Sequence, residues 1–142
     1  MVINCADEET AMARSIAWRL LNADSFVTVE HDIEAPQGSL AWLEHCPDPW
    51  CFHAYPINGR SWETVCEEGG MGGWFAPLGL TRFRPGPLRE ILRPVLEDPR
   101  FTETWVSRDT LISRALFDAG ITPHRHFPDA IHHHDYSRVP DS

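Results

Sequence analysis

A chain of 142 residues, 42% hydrophobic and with six tryptophans, is long enough to bury a core and too apolar to stay disordered. Its 21 acidic residues outweigh 12 cations, all of them arginine, for a net charge of −9. That balance disfavours direct binding to a nucleic-acid backbone, and the absence of lysine excludes Schiff-base and P-loop lysine chemistry. A GC-rich coding sequence is the favoured explanation for the all-arginine choice, with escape from a lysine-directed modification as the alternative. A protein partner with a basic surface, including one that itself binds nucleic acid, suits the charge. No apolar run approaches the roughly 18 residues of a membrane span. The opening Met1-Val-Ile-Asn-Cys-Ala-Asp-Glu-Glu9 lacks the basic and apolar regions of a secretory signal, so a cytoplasmic protein is expected.

Asp7 to Leu21 reads as a helix, because Met12, Ile16 and Leu20, with Ala13 and Ala17, form one apolar stripe. Phe26 to Ile33 alternates apolar and polar residues and reads as a strand. Ala35-Pro36-Gln37-Gly38 is a turn, after which Ser39 is placed to cap a short helix, Leu40 to His45. Asn58-Gly59 then gives the strongest hairpin signal in the chain, since a type I′ turn needs positive φ at both central residues. It predicts a hairpin over residues 51–66, with Tyr55 opposite Trp62 and Cys51 opposite Cys66. The glycine-rich stretch 67–73 reads as a turn or lid, and a strand follows from Leu80 to Arg84. Pro87 opens a helix with Leu88, Ile91, Leu92, Val95 and Leu96 on one face, which Pro94 must kink or shorten. Phe101 to Val106 reads as a strand. Ser107 caps a last helix carrying Leu111, Ile112, Ala115, Leu116 and Ala119, which Gly120 and Pro123 end. The expected fold is α+β, a single domain over residues 1–142. A small, mostly antiparallel sheet holds the 51–66 hairpin and about three helices pack on one face, with residues 123–142 as a histidine-rich tail.

Two constellations carry candidate chemistry. In the hairpin register Cys51, His53 and Cys66 share one face, and Pro47-Asp48-Pro49-Trp50 can turn Cys46 back onto them. Thiolates and imidazoles converging at about 2.0–2.3 Å make a structural zinc site. Cys46, Cys51, His53 and Cys66 are therefore the candidate ligands, with His45 as a substitute for Cys46. Against this stands plain packing of reduced cysteines as small hydrophobes. The second constellation is His124, His126, His132, His133, His134 and Asp135. If His124-Arg125-His126 is extended, both rings lie on one face, and imidazoles with a carboxylate can bind a catalytic metal. A solvated tail is the alternative. No spacing identifies a nucleophilic triad.

The expectation from these features is a small acidic interaction or regulatory module, such as an inhibitor occupying a basic site on its target, stapled by zinc. The alternative is a metal-dependent hydrolase using His124, His126, His132, His134 and Asp135.

Overall fold

A computed structural model describes residues 2–4, 9–70, 74–103 and 108–133. A mixed sheet of five strands has the order β1-β2-β5-β4-β6. These strands are β1 (Val2–Asn4), β2 (Phe26–Val29), β4 (Trp50–His53), β5 (Leu80–Phe83) and β6 (His124–His126). Central β5 pairs antiparallel with β2 and β4, while β1 joins β2 and β6 joins β4 in parallel. A separate antiparallel ribbon joins β3 (Ile33–Glu34) to β7 (Ile131–His132). With the helices α1 (Glu9–Asn22), α2 (Ser39–His45), α3 (Trp62–Glu68), α4 (Arg89–Leu96), α5 (Arg100–Glu103) and α6 (Arg108–Asp118), the fold is α+β as the sequence implied.

Strand alternation sorts the sheet into two cores. Phe26, Trp50, Phe52 and Phe83 point to one face, where they meet buried residues of α1, α3, α4, α5 and α6. Ala13, Ile16 and Leu20 of α1 are fully buried there, as are Leu92 and Leu116 of α4 and α6. Each large apolar side chain so buried contributes about 1.5–3 kcal/mol. Arg89 of α4 caps the end of α1, its Nε donating to Leu20 O at 2.9 Å and its Nη2 to Ala23 O at 2.7 Å. The opposite face carries Cys51, Leu80 and Arg82 and is covered by Leu43 of α2, Ile33 of β3 and Ala130.

The Asn58-Gly59 turn forms as predicted, with φ +53° and +74°, and Ile57 and Arg60 exchange both backbone hydrogen bonds. The second arm of the hairpin does not. Ser61 caps α3 instead, its Oγ accepting from Thr64 N at 3.2 Å, and residues 62–68 are helical. The reason is an ambiguous period: Trp62 and Cys66 share a strand face but also stand one helical turn apart. The helical choice buries both against the larger core and satisfies the helix start. Cys66 is thus not opposite Cys51, and Tyr55 is not paired with Trp62. Trp62 Nε1 donates to Phe75 O at 3.1 Å, while Tyr55 Oη donates to Glu30 and accepts from Gly79 N at 2.8 Å. Position 79 must be glycine, because a Cβ there would fall 2.2 Å from the Tyr55 hydroxyl.

Three smaller expectations are corrected. The cap of α2 is Gly38 rather than Ser39, which is its first helical residue and is buried. The strand expected from Phe101 is helical through Glu103, because Asp98-Pro99 starts a helix and Asp98 Oδ1 accepts from Arg100 N at 2.9 Å. Residues 124–126 and 131–132, expected in the tail, are β6 and β7. The cap assigned to Ser107, residues 104–106 of the expected strand and residues 71–73 of the glycine stretch lie outside the described residues.

Asp109, near the start of α6, has its carboxyl removed from water and faces the negative charge of Glu30, which together push its pKa from 3.8 to about 6. Tyr55 is the third group of this set. A raised carboxyl pKa favours the folded state only while the group is protonated. Its contribution is full below pH 3.8 and is lost as pH rises through about 6. Asp109→Asn is therefore expected to remove a loss of up to about 3 kcal/mol across that window. Urea unfolding of both proteins at a series of pH values checks this, and parallel curves would contradict it.

Candidate metal centre

α2 ends at Cys46, whose N–H returns to Leu43 O while its own φ/ψ of −64° and 132° turn the chain away. Prolines follow at positions 47 and 49, holding the residues before them extended. The segment folds over β5, where Arg82 receives it. Arg82 Nη2 donates to Cys46 O at 2.8 Å, to Asp48 O at 2.9 Å and to Cys51 Sγ at 3.3 Å. Cys46 is 4% exposed and Cys51 and His53 are fully buried.

On the other side of β4, the parallel register sets His124 beside Cys51 and His126 beside His53. The four side chains share one face. His124 and His126 stack with ring centroids 4.4 Å apart, and His126 and His53 follow at 5.6 Å. Cys46 Sγ lies 3.3 Å from His124 Nδ1, which is 2.7 Å from Asp48 Oδ2. Two groups of donors result, each drawn together within 4.8 Å: Cys46, Cys51 and His126, which are buried or half-buried, and Cys46, Asp48 and His124, in which the last two are exposed. Tetrahedral zinc with bonds of about 2.3 Å to sulfur and about 2.0 Å to nitrogen spaces its donors about 3.3–3.8 Å apart. Small side-chain movements reach that spacing.

The electrostatics suit neutral imidazoles. His53 Nδ1 donates to Pro128 O at 2.7 Å, so its proton sits there and Nε2 carries the lone pair. Among the described residues, Nε2 of both His53 and His126 is buried without a hydrogen-bond partner. Burial lowers the pKa of both rings, and for His126 the nearby His124, His53 and Arg82 lower it further. Burial pushes the Cys51 thiol up to about 12, against the opposing pull of Arg82. A cation would have to supply the charge that deprotonates it.

The sequence-predicted residues divide clearly. Cys46 and Cys51 meet, but their partners are His124 and His126 rather than Cys66. His53 lies on the same face as a neighbour of His126. Cys66 packs beside Trp62 in the helix-side core, across the sheet. His45 is exposed on α2 with Nδ1 against Ala41 O. His132 lies between Pro56 O and Asp32 Oδ2, at 2.7 and 3.0 Å, and His133 pairs with Glu34. His134 and Asp135 lie outside the described residues. Sequence reasoning missed Asp48, Arg82 and the meeting of the two constellations. The available signal was the matching x-His pattern of Cys51-Phe-His53 and His124-Arg-His126, two short strands with the same polar face.

Comparison of the chain with protein-family models, with curated proteins and with solved structures gives no match in any of the three.

In metal-free native protein at about pH 8, Cys51 is expected to react with iodoacetamide at least about a hundredfold more slowly than in urea, since its thiolate fraction is suppressed. Peptide mass mapping of the alkylated cysteine checks this. Equal rates in native and unfolded protein would count against the buried, protonated thiol.

Proposed function

We propose that this protein is a small acidic interaction module whose C-terminal edge strand is fastened to the sheet by a zinc ion bound through Cys46, Cys51 and His126. One observation carries the reading: two thiols and an imidazole from the end of α2, from β4 and from β6 converge within 4.8 Å. Such a fastening would add to the polar contacts that hold strand β6. Its sequence His-Arg-His has no apolar residue, so hydrophobic burial cannot seat it. On its other face Arg125 stacks 4.6 Å from the Trp62 ring centroid and pairs with Glu63 and Asp129. The charge of −9 supports a partner with a basic surface. Trp42 and Leu40 of α2, and Phe127 and Ile131 near the ribbon, are exposed large apolar side chains of the kind found at docking faces.

A metal-dependent hydrolase is the second reading, favoured by one feature. Asp48 and His124 are about half exposed, 52% and 46%, on the outer side of the buried donors. A water there would complete a Cys2His zinc of the catalytic type, with Asp48 placed to take its proton.

Tag-free protein purified without chelators is expected to carry about one zinc per chain, because the two donor groups among the described residues share Cys46. Cys51→Ser or His126→Ala should release it and lower the melting temperature, whereas Cys66→Ser should keep it. Elemental analysis and thermal melts decide the point. Loss of metal in the Cys66 variant, or none in wild type, would overturn the site. Recovery of a basic partner from host lysate at low but not at moderate salt would support the interaction reading, and esterase or phosphatase activity lost with Cys51 would favour the hydrolase.

A further inference from the structure

Arg82 is only 1% exposed and sits on the central strand opposite Cys51. Among the described residues its guanidinium forms no ion pair with a carboxylate. Nη2 bonds two carbonyls and the Cys51 sulfur, while Nε and Nη1 are buried without partners. A buried cation is costly unless negative charge opposes it. Two thiolates and a neutral imidazole around a divalent ion sum to zero, which leaves Arg82 unopposed. One further anionic ligand brings the complex to −1 and the complex plus Arg82 to neutrality.

Among the described residues, Asp48 offers such a group: it shares Cys46 with the buried donors, and a movement of its carboxylate toward Cys51 and His126 would complete the set. Its Oδ2 lies 3.9 Å from Cys46 Sγ, close to the separation of about 3.6 Å expected for sulfur and oxygen donors on one tetrahedral zinc. The same oxygen lies 2.7 Å from His124 Nδ1, which is itself 3.3 Å from Cys46 Sγ, so His124 is placed to fix the carboxylate by a hydrogen bond, as ligating carboxylates are commonly fixed. We propose that Asp48 supplies the fourth, anionic ligand of this metal site, that His124 is a positioning residue for its carboxylate, and that Arg82 is the counter-cation of the resulting complex. The inference rests on the zinc reading above and closes the position that a hydrolase would leave to water.

Co(II) and Zn(II) titrations of the full chain test it, with folding of every variant confirmed by far-ultraviolet circular dichroism. Asp48→Asn is expected to weaken binding at least about a hundredfold and to shift the visible Co(II) bands, while the sulfur-to-cobalt charge-transfer band of the two thiolates persists. His124→Gln should weaken binding about tenfold with that band unchanged. Arg82→Gln should cost about tenfold in wild type but much less in the Asp48→Asn background, where the complex is already neutral, and Arg82→Lys should restore most of the loss. Tight binding by Asp48→Asn would overturn the ligand assignment. An Arg82→Gln penalty equal in both backgrounds and not rescued by lysine would reduce Arg82 to a scaffold for the 46–51 turn. Metal-free wild type after titration would sink the zinc reading itself, whereas wild type and Asp48→Asn binding alike would sink this inference alone.

Discussion

The pairing of β4 between β5 and β6 is the constraint on which the molecule's chemistry depends. Side chains on adjacent strands in register must point to the same face, so Arg82, Cys51 and His124 form one row across three strands, and His53 and His126 the next. No other element is needed to gather four of the donors. The turn from Cys46 to Pro49 adds the remaining sulfur and carboxylate, and Arg82 fastens that turn by its carbonyls. A slip of one residue in either pairing would send the slipped strand's side chains to the aromatic face and break the row.

The two faces of the sheet make opposite demands on the same strands. Trp50 and Phe52 are buried with Phe26 and Phe83, where Phe26 and Phe83 stack at 5.4 Å. This face is apolar and covered by most of the helices. Between these aromatics, β4 places Cys51 and His53, both fully buried on a face that also holds a buried arginine. Burying thiols, imidazoles and a guanidinium together is unfavourable unless each finds a partner. The unpartnered nitrogens of His53, His126 and Arg82 all belong to this face, and a thiolate-bound metal is the kind of group that removes such a penalty. Stability and site chemistry are therefore linked through the same side chains.

The C-terminal segment shows how polar contacts can seat a strand that hydrophobicity cannot. Along it, Arg125 lies between Trp62 and Phe127, Ala130 N donates to Ala54 O, and His132 and His133 engage Asp32 and Glu34. These contacts tie the edge of the large sheet to the small ribbon, so the histidine-rich stretch is a structural part of the face that bears the thiols.

Local rules were enough to read much of this from the chain. The apolar stripes of α1, α4 and α6, the extended Phe26 segment, the Asn58-Gly59 turn and the glycine end of α6 each depend on neighbours within a few residues. The shared face of Cys51 with His53, and of His124 with His126, follows from strand alternation alone. Where two local readings competed, as at Trp62 to Cys66, the tertiary core decided for the helix and carried Cys66 to the opposite face. The parallel pairing of β4 with β6 was beyond the sequence for a different reason. Its partners stand about seventy residues apart, and neither strand encodes the other's address. Alternation told which side chains travel together; only the assembled sheet and the turn after α2 determined that the two thiols and the two imidazoles would meet.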